Sequence, residues 1–263
     1  MPIGRRDHRL YLQEDVHPRE ALQEWFNIVD RHKYLELSKP EDRLPSLAGI
    51  ARAYQRQFKS KHLFGLWESH LPENLLWYAE SAGEETPIDY GIGQSPSWSW
   101  ANATGRILHD FRTGYDDSSR VLTKVNYAIV DGDDEDNMSL GQGENGRIEL
   151  CGKLKRLRYE YFPYSIPWLE DPDQVPYDAT RPAFQWQDTV KIDRKEEMSR
   201  FCWGLAISQT NIDDIARCST EVLVLEEVDQ NRRIFKRCGI ATLSFEWYSR
   251  LFEGIGEKDI EIV

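Results

Sequence analysis

Gly141-Gln-Gly143-Glu-Asn-Gly146 has the G-x-G-x-x-G spacing with which a backbone approaches a pyrophosphate. That chemistry needs a strand before the glycines and a helix after them, so that the helix N-terminus meets the phosphate. Here an acidic run precedes the glycines and a strand-like alternation follows, so the stretch reads as a Gly-rich loop. The acidic run, Asp131-Gly-Asp-Asp-Glu-Asp-Asn137, is dense enough in carboxylates to hold a hard cation loosely. A calcium loop begun at Asp131 requires Gly at its sixth place and Glu at its twelfth, where this chain has Asp136 and Gln142. A solvated loop is the better reading. Gly93-Gln-Ser-Pro-Ser97 lacks the final Gly and the strand-turn-helix setting of a nucleophile elbow. The six histidines, at 8, 17, 32, 62, 70 and 109, form no H-E-x-x-H. His62 and His70 would share a helix face only if Gly65 did not interrupt the helix, so all six read as surface or core residues. Cys151, Cys202, Cys218 and Cys238 never form C-x-x-C, which argues against a zinc ribbon or a compact disulfide framework. These patterns assign no catalytic, cofactor-binding or metal-binding residue, and a non-enzymatic chain without cofactor is expected.

Pro96-Ser97-Trp98-Ser99-Trp100-Ala101 is different, because its alternation has a physical use whatever the chemistry. In an extended backbone Trp98 and Trp100 face one way and Ser97 and Ser99 the other. Pro96 suits the first position of such a strand. Two indoles bury roughly 150–250 Å² each, several kcal/mol before entropy is charged. They read as a core anchor joining two parts of the fold. The rival use is a stacking platform for a sugar, with Glu84, Glu85, Asp89 and Asp110 nearby in sequence as candidate acids. A glycosidase needs two acids about 5–10 Å apart, which spacing along the chain does not place.

The elements around that stretch change period. Residues 18–31 put Leu22, Trp25, Phe26 and Val29 on one helical face behind Pro18. Ser38 to Glu41 has capping-box spacing, and Leu47, Ile50, Ala51, Tyr54 and Phe58 line a second helix. Pro45 confines that helix's start to about Asp42 to Leu44, and Gly49 beside Ala48 suggests a neighbouring helix packed close. Residues 62–70 group Leu63, Leu66 and Trp67, and Pro72 suits the first position of a short helix over 72–78. Residues 81–95 form a polar seam. Beyond it the period becomes 2: Val121, Thr123, Val125, Tyr127 and Ile129 share one strand face. The alternation at 147–154 follows, with Gly152 as a bulge or bend. Strands are expected at 201–207, 220–226, 233–240 and 259–263, with a helical turn or two at 244–252. The organisation predicted is α+β: a helical region, 1–94, packed on a β-rich region, 95–263, that forms an antiparallel β-sandwich or barrel. The two regions could equally be one continuous domain.

With 40% hydrophobic residues and nine Trp, the chain is not expected to be disordered. Its net charge of −12 opposes binding to nucleic acid or to an anionic membrane surface. The dense basic run Lys153-Leu-Lys-Arg-Leu-Arg158 alternates with Leu, as a strand with a solvated face does. There is no apolar signal region, and no apolar run nears the ~18 residues that span a bilayer. A reduced, cytoplasmic protein is expected.

Several blocks together resemble the region downstream of the HET domain in fungal heterokaryon-incompatibility proteins. They are Trp25-Phe-Asn-Ile-Val29 with Tyr34, Asp42-Arg-Leu-Pro-Ser-Leu-Ala-Gly-Ile-Ala51, Phe64-Gly-Leu-Trp67, Leu75-Leu-Trp77 and Pro96-Ser-Trp-Ser-Trp-Ala101. Fainter echoes are Gly146 to Leu154 and Phe235-Lys-Arg-Cys-Gly-Ile240, while 155–200 match weakly. The resemblance implies a role in non-self recognition and a protein partner, including a chain that carries a HET domain. It also implies that the HET domain would precede the Trp25 block, where the stretch present is too short to hold one. The matching positions are aromatic, Pro and Gly, so Trp25, Pro45, Trp67, Trp77, Pro96, Trp98 and Trp100 are taken as structural anchors and none as a reaction centre.

Overall fold

A computed structural model of the chain describes residues 16–33, 42–80, 95–103, 106–109, 119–130, 146–160, 168–170, 189–192, 201–214 and 216–263. Tyr34, the capping-box spacing at 38–41, residues 81–94 of the seam, the acidic run, Gly141 and Gly143, His8, and the carboxylates of Glu84, Glu85, Asp89 and Asp110 lie outside these residues.

Helix α1 (Pro18–Lys33) buries Leu22, Trp25, Phe26 and Val29, as their 3.6-residue spacing requires. Helix α2 (Arg43–Phe58) starts after Asp42, with Pro45 in its first turn, where no backbone N–H is needed. Leu47, Ala51 and Tyr54 are buried, but Ile50 is 41% exposed. The buried stripe of α2 is narrow, and Ile50 lies on its flank. Gly49 has no neighbour within 4 Å of where a Cβ would sit, so the expected close helix contact is absent there.

The next segments are strands and 3-10 turns where helix was expected. β1 (His62–Leu63) and β2 (Leu66–Trp67) form a hairpin that turns through Phe64 and Gly65, both at positive φ. Gly65 breaks the helix that Leu63, Leu66 and Trp67 would otherwise suggest. Pro72 precedes a 3-10 turn, Glu73–Leu75, and β3 (Trp77–Glu80) then pairs antiparallel with β4 (Arg106–His109). A boundary at residue 94 falls within this sheet, since β3 and β4 lie on either side of it.

The remaining strands are β5 (Arg120–Val121), β6 (Lys124–Val130), β7 (Gly146–Glu160), β8 (Trp168–Glu170), β9 (Thr189–Ile192), β10 (Phe201–Thr210), β11 (Ser219–Asp229), β12 (Ile234–Ser244) and β13 (Glu257–Ile262). β7 pairs with β10, β10 with β11, β11 with β12, β12 with β13, and β13 with β7 again, so the hydrogen bonds close a ring. The length of β7 makes this possible. Its first half pairs with β6 and β13, and its second half with β10. The sheet is mixed rather than wholly antiparallel, because helix α3 (Phe245–Phe252) carries the chain back and lets β13 run parallel to β12.

One side of the sheet contributes Leu150, Leu154, Leu205, Leu223, Ile260 and Ile262 to the apolar core that also holds Trp25, Trp67 and Trp98. The other side presents Cys202, Ala206, Val222, Val224 and Leu243 to Tyr248, Leu251 and Phe252 of α3. Burial on both faces explains the near-continuous apolar runs of β10 and β11. The basic run is a strand as expected, but Leu154 and Leu157 are buried on opposite sides of the sheet, so it has no single solvated face, and Arg156 is exposed.

Two strand expectations are corrected. Gly152 marks no bulge, since its pairing with Lys258 continues the register of β13 and β7 without a break. A Cβ there would strike the Thr123 hydroxyl, so the glycine admits that side chain. The irregularity falls on β6, between Val125 and Tyr127. One extra residue reverses the side on which every later side chain emerges. Ala128 consequently packs on the core, while Tyr127 is 37% and Ile129 49% exposed.

Candidate functional site

The segment 95–103 is a turn followed by a 3-10 turn, Trp100–Asn102, and not the expected strand. Ser99 is the cause. Its hydroxyl oxygen accepts the Ala101 N–H at 3.1 Å and donates to the Phe64 carbonyl at 2.7 Å, which caps the turn and fixes it to the hairpin. Ser97, Trp98, Ser99 and Trp100 are all buried, so no face of polar residues separates from a face of indoles.

The two indoles reach in different directions. Trp98 Nε1 donates to the Gly146 carbonyl at 3.2 Å, at the start of β7, and its ring meets Phe64 edge-on at 5.6 Å. Trp100 Nε1 donates to the Gly65 carbonyl at 2.8 Å, and Trp25 Nε1 of α1 donates to that same carbonyl at 3.1 Å. Gly65 is irreplaceable on two counts, since its φ is +94° and a Cβ would sit within 2.7 Å of Trp100 Cζ2. Ser97 donates to the Val263 carbonyl, and its oxygen accepts the Arg237 N–H at 2.9 Å. The segment thus binds the hairpin, α2 through Arg43, β7, β12 and the residue that follows β13. Both indoles are 0% exposed, so neither offers a face on which a sugar could stack.

Trp25, Trp67, Trp77 and Pro96 are buried as well, and Pro45 is half-buried. Trp77 Nε1 donates to the Trp98 carbonyl at 3.0 Å. Sequence reasoning missed what lies on Trp77, the guanidinium of Arg237, 3.5 Å from its ring centroid. Arg237 is 1% exposed and donates from Nε to the Leu75 carbonyl at 3.0 Å and from Nη2 to the Trp77 carbonyl. Its position two residues after the buried Phe235 was the available signal, outweighed by the adjacent Lys236.

Three histidines pack against the helices. His62 is enclosed by Trp25 and Trp67, with ring centroids at 5.6 and 4.8 Å, and His109 lies 4.4 Å from Phe26. His109 Nε2 is 3.0 Å from the Glu73 carbonyl oxygen. Burial lowers the His70 imidazole to about 4. Burial also raises the Glu73 carboxyl above the usual carboxylate range, partly offset by its own backbone hydrogen bond. Divergent titration of neighbouring groups is a mark of functional sites, though structural burial produces it too.

Among the described residues no three His, Cys, Asp or Glu side chains gather as metal ligands, and no described helix is long and apolar enough to cross a membrane. All four cysteines are free. No protein-family model, curated protein or solved structure matches the chain.

Proposed function

We propose that this chain is a non-catalytic interaction or regulatory region of the fungal heterokaryon-incompatibility type, working in the cytoplasm through a protein partner that carries a HET domain. The observation that supports the reading is the convergence of the resembling blocks. The Trp25, Phe64-Gly65 and Pro96–Ala101 blocks lie far apart in sequence, yet Trp25 and Trp100 donate to one carbonyl, that of Gly65. The Leu75–Trp77 block joins them through Trp77 and Trp98. Residues that carry the likeness therefore build one scaffold, and on this reading the scaffold acts by the surface it presents to a partner. The test is calorimetric titration of the purified chain with a separately purified HET domain, paired with expression of both in a fungal cell-death assay. Saturable binding together with altered cell death supports the proposal. Absence of both overturns it.

A further inference from the structure

Every histidine among the described residues touches the two-helix layer. His17 stands just before α1 and accepts the Arg19 N–H on Nδ1 at 3.2 Å. His32, on α1, is joined through Nε2 to the Ser46 hydroxyl of α2 at 2.7 Å. Beneath the helices, His62 of β1 meets Trp25 of α1, His109 of β4 meets Phe26 of α1, and His70 meets Phe58 of α2 at 4.8 Å. The sequence from 110 to 263 contains no histidine, so the ring of β7, β10, β11, β12 and β13 has none. The side chains that titrate between pH 5 and 7 are thus concentrated at one seam of the fold.

We propose that this seam is an acid-operated latch: protonation of its imidazoles unseats α1 and α2 from the hairpins below while the barrel stays folded, uncovering the Trp25–Trp67 aromatic face. His32 and His62 are 7% and 1% exposed, so a charge there gives up most of its contact with water. For His70, a value of about 4 in the seated state against 6.5 when released makes release about 20-fold more favourable at pH 5 than at neutral pH.

The charged groups around the seam set the limits. Glu73 is shifted upward and takes its proton more readily when seated, which holds the layer down as pH falls. Asp30 of α1 pairs with Arg106 of β4 at 3.3 Å, a contact that acid removes only when the carboxylate itself is protonated. Glu24 of α1 accepts from Asn27 at 3.0 Å, and Arg43 of α2 donates to the carbonyls of Ala101 and Ala103, bonds that histidine protonation leaves in place. Lys59, Lys61 and Glu68 lie on the turns that join α2 to the hairpin and the hairpin to His70.

Hydrogen exchange of the whole chain, corrected for intrinsic rates and read by mass spectrometry at pH 7.5, 6.0 and 5.0, tests this directly. Amides of 18–33 and 43–58 should lose protection as pH falls, while those of 201–244 keep theirs. The opening constant of the helical layer should rise at least tenfold per pH unit between 6 and 5. In His70→Gln the rise should be shallower by about one proton. Should that variant fail to fold, the pH slope of the unaltered chain decides alone. Loss of protection in helices and barrel at one common pH, or a slope near zero, would overturn the latch.

Discussion

At the scale of single residues, the Gly65 carbonyl ties α1 and the 95–103 segment to the hairpin. It accepts two indole N–H groups, so the Trp100→Phe variant leaves it one donor and should cost only about 1 kcal/mol. Trp100→Ala also empties a fully buried ring site and should cost about 3–5 kcal/mol. Urea denaturation of the two variants measures the difference, and equal small losses would place the indole outside the core. Thiol reactivity offers a second residue-scale test. Burial pushes the Cys202 thiol up to about 12, so it should resist a maleimide at pH 8 in the folded chain. Cys151 is more exposed, but Asp259 beside it, then burial, then Glu257 keep its thiol protonated more strongly than usual, so its labelling should be slow. In urea all four should label quickly, as peptide mapping by mass spectrometry would record.

Among the elements, β6 shows how one inserted residue redirects a strand. Alternation from Val121 through Ile129 puts five side chains on one face, and the irregularity after Val125 breaks that count. Ile129→Thr should therefore change stability by less than about 0.5 kcal/mol, as surface substitutions do. Ile148 of β7, opposite Ala128, is 0% exposed, and Ile148→Ala should cost about 2–5 kcal/mol. Comparable losses for both, measured by chemical denaturation, would place Ile129 in the core. The helices were easier to read than the strands. The inward face of α1 follows from its own period, whereas the hairpin at 62–67 depends on positive φ at Phe64 and Gly65, and composition shows only the glycine. Likewise Ser97 and Ser99 look like the outer face of a strand until the Phe64 and Val263 carbonyls arrive to receive them.

For the molecule as a whole, stability should fall on the acid side of neutrality. His70 stays neutral in the fold down to about 4, while an unfolded chain takes the proton near 6.5. Its contribution is complete above pH 6.5 and is lost as pH falls toward 4, about 2–3 kcal/mol for this group. Glu73, shifted the other way, returns part of that loss at the lower end of the range. Denaturation free energies at pH 7.5, 5.5 and 4.5 should decline in that order, and a flat profile would contradict the burial of His70. The sequence by itself determined the α+β class, the burial face of α1, the late strands and the interior character of the indoles, because periodicity and apolar bulk act locally. Only the tertiary structure decided that the strands close a ring, that Arg237 lies on Trp77, and that the histidines share one seam. Those outcomes depend on which distant backbone groups meet, and no spacing along the chain encodes that meeting.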